Sequence, residues 1–294
     1  MKILLADAFF PDLPARLSRF GEVYSDMERL SEAEVLIVRS KTKVNAAMMD
    51  SAPALKFIIR GGVGVDTIDI DHAQAKGIKV DNTPEASSVA VAELAFALLL
   101  SLPNHICLAD SSTKEGKWLK KDLERTELFG KTLGLIGLGR IARELASRAR
   151  AFGMRVLAYD AFVQSSDLAE LKSLEEVLAE SDYVSLHIPL TAETRGMIDA
   201  ERIGLMKDGS RLINTCRGEV VVEEDIAAAL ASGKLAGYAT DVYKKEPPGV
   251  SPLFSAPNLL CTPHLGASTA ENLLRLGEAI EKRLQAYSQR EEKE

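Results

Sequence analysis

One stretch limits the fold of this chain more than any other. The apolar run Leu133-Gly134-Leu135-Ile136 leads into Gly137-x-Gly139-x-x-Ala142, and an amphipathic, helix-patterned segment follows. Strand, glycine turn and helix in that order make a phosphate cradle. The first glycine forms the tight turn and the second lets the backbone approach a pyrophosphate. The small third residue lets the helix pack closely on the strand. The helix start then offers free N–H groups and the positive end of its dipole to the phosphates. Asp160 ends the next apolar run, about 20 residues on, where a carboxylate accepts from both ribose hydroxyls and repels a 2′-phosphate. The pattern predicts a parallel α/β domain that binds NAD rather than NADP.

The rest of the chain has the same grain. Short apolar runs at 3–6, 35–38, 57–59 and 78–80 read as buried strands, with helical patterns at 13–20 and 68–75. One long helix is expected from 89 to about 110. A second series has strands at 133–136, 155–159, 183–187, 211–214, 237–240 and 259–261. Its helices are expected at 141–152, 174–180, 200–206, 223–231 and 270–289. Residues 113–130, polar and carrying the single Trp118, read as an arm between the series, and 290–294 as a solvated tail. Strand–helix alternation implies parallel sheets with helices on both faces.

Composition removes other classes. The chain has 294 residues, enough for two domains, with 46% hydrophobic and 27% charged residues. Net charge −7 and 5% aromatics argue against nucleic acid as a partner. Cys107, Cys216 and Cys261 show no C-x-x-C spacing, so no structural metal or disulfide framework is expected. The N-terminus lacks the apolar core of a signal peptide, and 89–102 is interrupted by Glu93. A cytoplasmic protein with no membrane partner is the expectation.

A nicotinamide enzyme that moves a hydride also needs a group for the proton, most often His. Of four histidines, His72 lies in a charged helix start and His105 follows Pro103-Asn104. His187 ends a strand, where a structural role is at least as good a reading as a place beside the cofactor. His264 follows the run ending at Cys261 and so sits at the carboxyl end of a strand, where open α/β sheets place ligands. Arg217 and Glu246 occupy similar positions. Arginine there suits a carboxylate clamp, and a carboxylate beside His264 would fix its tautomer. Taken one at a time, each such residue is more often structural than catalytic.

Together with other landmarks these residues carry a resemblance. The landmarks are Val38-Arg39-Ser40, Arg60-Gly61-Gly62-Val63-Gly64-Val65-Asp66, Asn82-Thr83-Pro84, Gly116-Lys117-Trp118, Asn214-Thr215-Cys216-Arg217-Gly218, Asp241 with Glu246-Pro247-Pro248, and Pro263-His264-Leu265-Gly266. Over nearly its whole length the chain resembles the D-isomer-specific 2-hydroxyacid dehydrogenases, and most closely their phosphoglycerate branch in a short form without a C-terminal regulatory domain. The resemblance implies two doubly wound parallel-sheet domains. A discontinuous, flavodoxin-like substrate domain would comprise 1–97 and 267–294, and a Rossmann NAD-binding domain 98–266, with the active site between them. It implies Arg217, Glu246 and His264 as the catalytic set. Gly137, Gly139, Arg140, Ile141, Asp160, Ile188, Thr215, Asp241, His264 and Gly266 would line the cofactor site, with Asp241 facing the nicotinamide carboxamide.

On the substrate side, backbone N–H groups of Gly61 and Gly62 would nest a carboxylate. Arg39 and Arg60 would hold a substrate phosphate, aided by Arg217 and, from a partner subunit's arm, Lys120. The implied reaction is NAD-dependent oxidation of 3-phospho-D-glycerate to 3-phosphohydroxypyruvate by a homodimer. Alternatives are a glyoxylate or hydroxypyruvate reductase and, more remotely, a non-enzymatic NAD(H)-sensing binding protein. Tyr243 stands where Phe is commoner, with no consequence evident from sequence.

Overall fold

The computed structural model describes residues 1–291. It divides into two compact units, Met1–Ser88 with the residues from Ala267 onward, and Val89–Gly266. Of the tail expected at 290–294, Arg290 and Glu291 continue the last helix, Ala270–Glu291, and 292–294 lie outside the described residues.

The first unit holds five parallel strands, β1 (Lys2–Leu5), β2 (Glu22–Tyr24), β3 (Val35–Val38), β4 (Phe57–Arg60) and β5 (Lys79–Asn82), in spatial order β2-β1-β3-β4-β5. A pleated strand sends successive side chains to opposite faces, and here both faces are covered. Leu4, Leu36 and Ile58 pack with Met49 and Ala73 on one face. Ile3, Ile37, Phe57 and Ile59 pack on the other with Ile280, Leu284 and Tyr287. Those last three follow the helical spacing of the C-terminal helix, so that helix closes this sheet. Two-sided burial is why the central strands read as unbroken apolar runs rather than as alternation.

The second unit holds seven parallel strands, β6 (Thr132–Ile136), β7 (Arg155–Tyr159), β8 (Glu170–Leu171), β9 (Tyr183–Leu186), β10 (Ser210–Asn214), β11 (Leu235–Thr240) and β12 (Leu259–Cys261). Their order is β12-β11-β10-β9-β6-β7-β8. Leu133, Leu135, Ala158 and Ile213 face one core, while Ile136, Val184, Leu186 and Leu212 face the other. The order reverses between β6 and β9, which opens a crevice at their carboxyl ends. Strands β2 and β8 were not expected. They are short edge strands with half-buried or exposed side chains, so neither carries an apolar run.

The single helix expected from 89 to about 110 is two helices, Ser88–Asn104 and Ile106–Lys114, bent by 62°. Pro103 removes a donor from the last turn, and His105 adopts a left-handed φ of 50° between them. Its Nε2 lies 3.0 Å from the Glu124 carbonyl. The first helix also corrects the boundary expected at 97. Ala92, Ala95 and Leu99 are buried in the core of the second unit, so that unit begins with this helix, at Val89. Among the described residues no single helix is long and apolar enough to cross a membrane.

Candidate active site

The glycine cradle follows β6 directly. Gly137 has φ 91°, a left-handed conformation open to glycine, and a Cβ there would press on the His187 carbonyl beyond β9. Gly139 caps helix Arg140–Ala151 with no side-chain cap, and a Cβ on it would meet open space. The first-turn N–H groups of that helix are therefore not capped by a side chain. Ala142 is fully buried on the sheet, as its small size allows. Arg140 is exposed and Ile141 half-buried in that first turn.

Asp160, past β7, does more than wait for a ribose. One oxygen accepts from the Leu138 N–H at 2.7 Å and the other from Phe162 and Val163 at 2.9 and 3.1 Å. Burial pushes its carboxyl up, but those amides and Arg143 outweigh it, so it titrates below its ordinary value. Thr215, past β10, keeps a buried hydroxyl with no hydrogen-bond partner. An uncapped helix start, glycine clearance, an ionised Asp160 and the unmatched Thr215 hydroxyl together fit a dinucleotide. Ile188 borders the same turn, its Cγ2 close to the Cβ position of Gly137.

Three loops at strand ends bring the catalytic candidates into one unit. His264 Nδ1 lies 2.6 Å from Glu246 Oε2, and Glu246 Oε1 accepts the Tyr243 N–H at 3.2 Å. Burial raises the Glu246 carboxyl, but His264, the Tyr243 amide and Arg217 hold it below its usual range. An ionised carboxylate only accepts, so Nδ1 carries the proton of this bond and Nε2 is left for exchange with a substrate. Arg217 donates to the Cys216 carbonyl at 2.6 Å, and its own carbonyl accepts from Asn214 at 2.9 Å. Gly218 beside it packs flat on the Tyr243–Lys244 backbone, where any Cβ would overlap. Burial raises the Cys216 thiol to about 11, so it stays protonated.

Asp241 was expected to face the nicotinamide. In the structure it is 1% exposed and holds the His264 loop. It accepts from the Thr262 hydroxyl at 2.6 Å, the Leu265 N–H at 2.7 Å and the Gly266 N–H at 2.8 Å. His187 is half-buried, 2.9 Å from the Ser185 hydroxyl, and desolvation pushes its imidazole down to about 4, which keeps it neutral near pH 7. His72 pairs with Asp50 at 2.9 Å on the surface.

In the first unit, Arg39 and Arg60 converge on the loop after β4. Arg60 Nη1 fills the space a Gly62 side chain would take, and Arg39 Cγ lies 3.6 Å from the Cβ position of Gly61. Burial lowers the Arg39 guanidinium, against the pull of Asp7. The carboxylate nest expected at Gly61 and Gly62 is not open at these two amides. Gly61 N–H donates to Val38 and Gly62 N–H to the Thr83 hydroxyl, both at 2.8 Å. Sequence reasoning noted Thr83 only as part of a landmark and missed Asp7, because their contacts with Gly62 and Arg39 are long-range. Asp7 accepts the Arg39 N–H at 2.5 Å and the Thr42 hydroxyl at 2.7 Å. Lys120 and Trp118 lie exposed on the arm before β6. Among the described residues no group of three or more His, Cys, Asp or Glu side chains gathers as a metal site.

Comparison with known proteins agrees with this geometry. The family of the D-isomer specific 2-hydroxyacid dehydrogenase NAD binding domain matches residues 96–266. A hydroxypyruvate reductase of Thermotoga maritima is 48% identical over 261 residues, which is 87% of this chain and 85% of that one. A D-3-phosphoglycerate dehydrogenase of Methanocaldococcus jannaschii is 41% identical over 92% of this chain, which spans 54% of that protein's length. A crystal structure of D-lactate dehydrogenase from Aquifex aeolicus, complexed with NAD and lactic acid, matches at TM-score 0.87 and 32% identity, over 98% of this chain and 96% of that one. With its glycine cradle, its Asp160 and its His264–Glu246 pair, the chain belongs to the D-isomer-specific 2-hydroxyacid dehydrogenase family and carries that family's NAD-binding domain.

Proposed function

We propose that the chain interconverts 3-phospho-D-glycerate and 3-phosphohydroxypyruvate with NAD. Bound at the Gly137–Gly139 cradle, NAD would take up or give the hydride at the substrate's second carbon. His264 Nε2 takes the hydroxyl proton during oxidation and returns it to the carbonyl oxygen during reduction. Glu246 holds the ring by Nδ1 and stabilises the imidazolium that forms. Arg217 offers a guanidinium to the substrate's carboxylate or oxo oxygen and fixes the reacting carbon.

The observation that carries the phosphorylated substrate is the convergence of Arg39 and Arg60 on Gly61 and Gly62. The Arg60 guanidinium lies over Gly62, while the Arg39 stem passes Gly61 and its guanidinium donates to the Ala8 carbonyl at 3.1 Å. Two such cations near one loop suit a dianion better than an uncharged tail does. Initial rates of NADH oxidation with 3-phosphohydroxypyruvate, hydroxypyruvate and glyoxylate test this. The phosphorylated acid should lead in kcat/KM by at least about tenfold, the value of one charged hydrogen bond. Arg60→Ala should raise its KM about 10- to 100-fold and leave hydroxypyruvate unaffected. Equal or reversed preference overturns the assignment. It would favour a second reading, a hydroxypyruvate reductase, which the Thermotoga maritima relative of similar length supports.

A further inference from the structure

Three loops carry Arg217, Glu246 and His264, and all three meet at Tyr243. Its backbone is the surface on which Gly218, next to Arg217, packs without room for a Cβ. Its N–H donates to Glu246 Oε1. Its hydroxyl, on a side chain only 8% exposed, donates to the Thr262 carbonyl at 2.8 Å, two residues before His264.

The His264 backbone needs such holding. Its φ is 52°, in the left-handed region that a residue with a Cβ seldom occupies. Conformations of this kind persist where the surroundings over-determine them. Here the segment is gripped on both sides. Upstream, the Thr262 hydroxyl binds Asp241 and the Thr262 carbonyl accepts from both the Tyr243 hydroxyl and the His264 N–H. Downstream, Leu265 and Gly266 donate to the same Asp241 carboxylate. A phenylalanine at 243 would keep the backbone donor and the ring, whose centroid lies 6.2 Å from that of Phe254, but would lose the hydroxyl.

We propose that Tyr243 is a positioning residue of this enzyme: its hydroxyl, through the Thr262 carbonyl, sets His264 against Glu246. The proposal rests on the dehydrogenase reading above, in which His264 moves the proton. Tyr243→Phe tests it. The kcat should fall about five- to tenfold, as expected when one hydrogen bond that aligns a reacting group is lost. KM for the 2-oxo acid and the NADH dissociation constant should stay within about twofold, since Arg217 and the cradle are untouched. Hydrogen–deuterium exchange should quicken in a peptide covering 262–266 and stay unchanged over 133–160. Thr262→Val, which removes the bond to Asp241, should act in the same way, and the double variant should lose less than the product of the two single losses.

Wild-type kcat and wild-type exchange in Tyr243→Phe would overturn the proposal. So would faster exchange spread through the whole unit with a lowered melting temperature, which is the mark of a merely structural residue. A wild-type protein that turns over no 2-oxo acid would sink the dehydrogenase reading instead. The exchange measurement would then still decide whether the hydroxyl fixes the loop.

Discussion

His264, Glu246 and His187 show how environment assigns roles to like groups. His264 has a carboxylate at 2.6 Å from Nδ1 and a part-exposed side chain, while His187 has a hydroxyl neighbour and a desolvated ring. His264→Ala should therefore cut kcat by about 10²–10⁴, the usual contribution of a general acid or base, and leave NADH affinity unchanged by fluorescence titration. Loss of cofactor binding together with activity would make His264 a structural residue. His187 is expected to act on stability. Its folded value of about 4 lies below the ordinary histidine value, so the unfolded chain binds the extra proton first. Stability from this site is complete above about pH 6.5 and is lost as the pH falls towards 4, at most about 2 kcal/mol between pH 7 and pH 5. Urea midpoints measured across that range should fall in the wild type and fall less in His187→Gln. Parallel curves would show that the imidazole is not the cause.

Elements place these residues by backbone contact as much as by side chains. The Arg217 loop and the Tyr243–Glu246 loop touch through Gly218, where a Cβ would overlap the Tyr243 carbonyl carbon and the Lys244 nitrogen. Gly218→Ala should cost about 1–3 kcal/mol in stability, as overpacking does. It should also lower kcat by up to about 10²-fold, because the loops that hold Arg217 and Glu246 must part. Gly204 supplies the contrast. It lies in helix Ala200–Leu205 with open space at its Cβ position, and Gly204→Ala should stabilise by about 0.5–1 kcal/mol with kcat unchanged. Urea unfolding and steady-state rates on the pair separate close packing from helix propensity. If both variants behave alike, the Gly218 contact is not what holds the loops.

At the scale of the molecule, two units each bury their own two-faced parallel sheet, and the cofactor candidates fall in Val89–Gly266. NAD at about 100 times its dissociation constant should stabilise the folded chain by about 2.7 kcal/mol. By hydrogen exchange its strongest direct protection should fall around 137–142 and 215. Protection centred in Met1–Ser88 would refute the cradle. Much of this arrangement was legible from residues alone. Buried central strands must be apolar on both faces, a pyrophosphate turn must be glycine, and a proton carrier must titrate near neutrality, so β6, Gly137, Asp160 and His264 could be read locally. The edge strands β2 and β8, the break at His105 and the unit boundary at Val89 could not, because half-buried edges leave no apolar run and a helix's allegiance depends on which core its face meets. The same holds for Asp241 and Tyr243. Their roles come from hydrogen bonds to Thr262, Leu265 and Gly266, some 20 residues away along the chain, and such contacts exist only once parallel strands bring their carboxyl ends together. The sequence by itself determined the two sheets, the cradle and the chemistry of the Arg217, Glu246 and His264 side chains. Tertiary structure alone decided that Glu246 meets Nδ1 of His264, that Gly61 and Gly62 spend their amides within the unit, and that one tyrosine hydroxyl holds the histidine's loop.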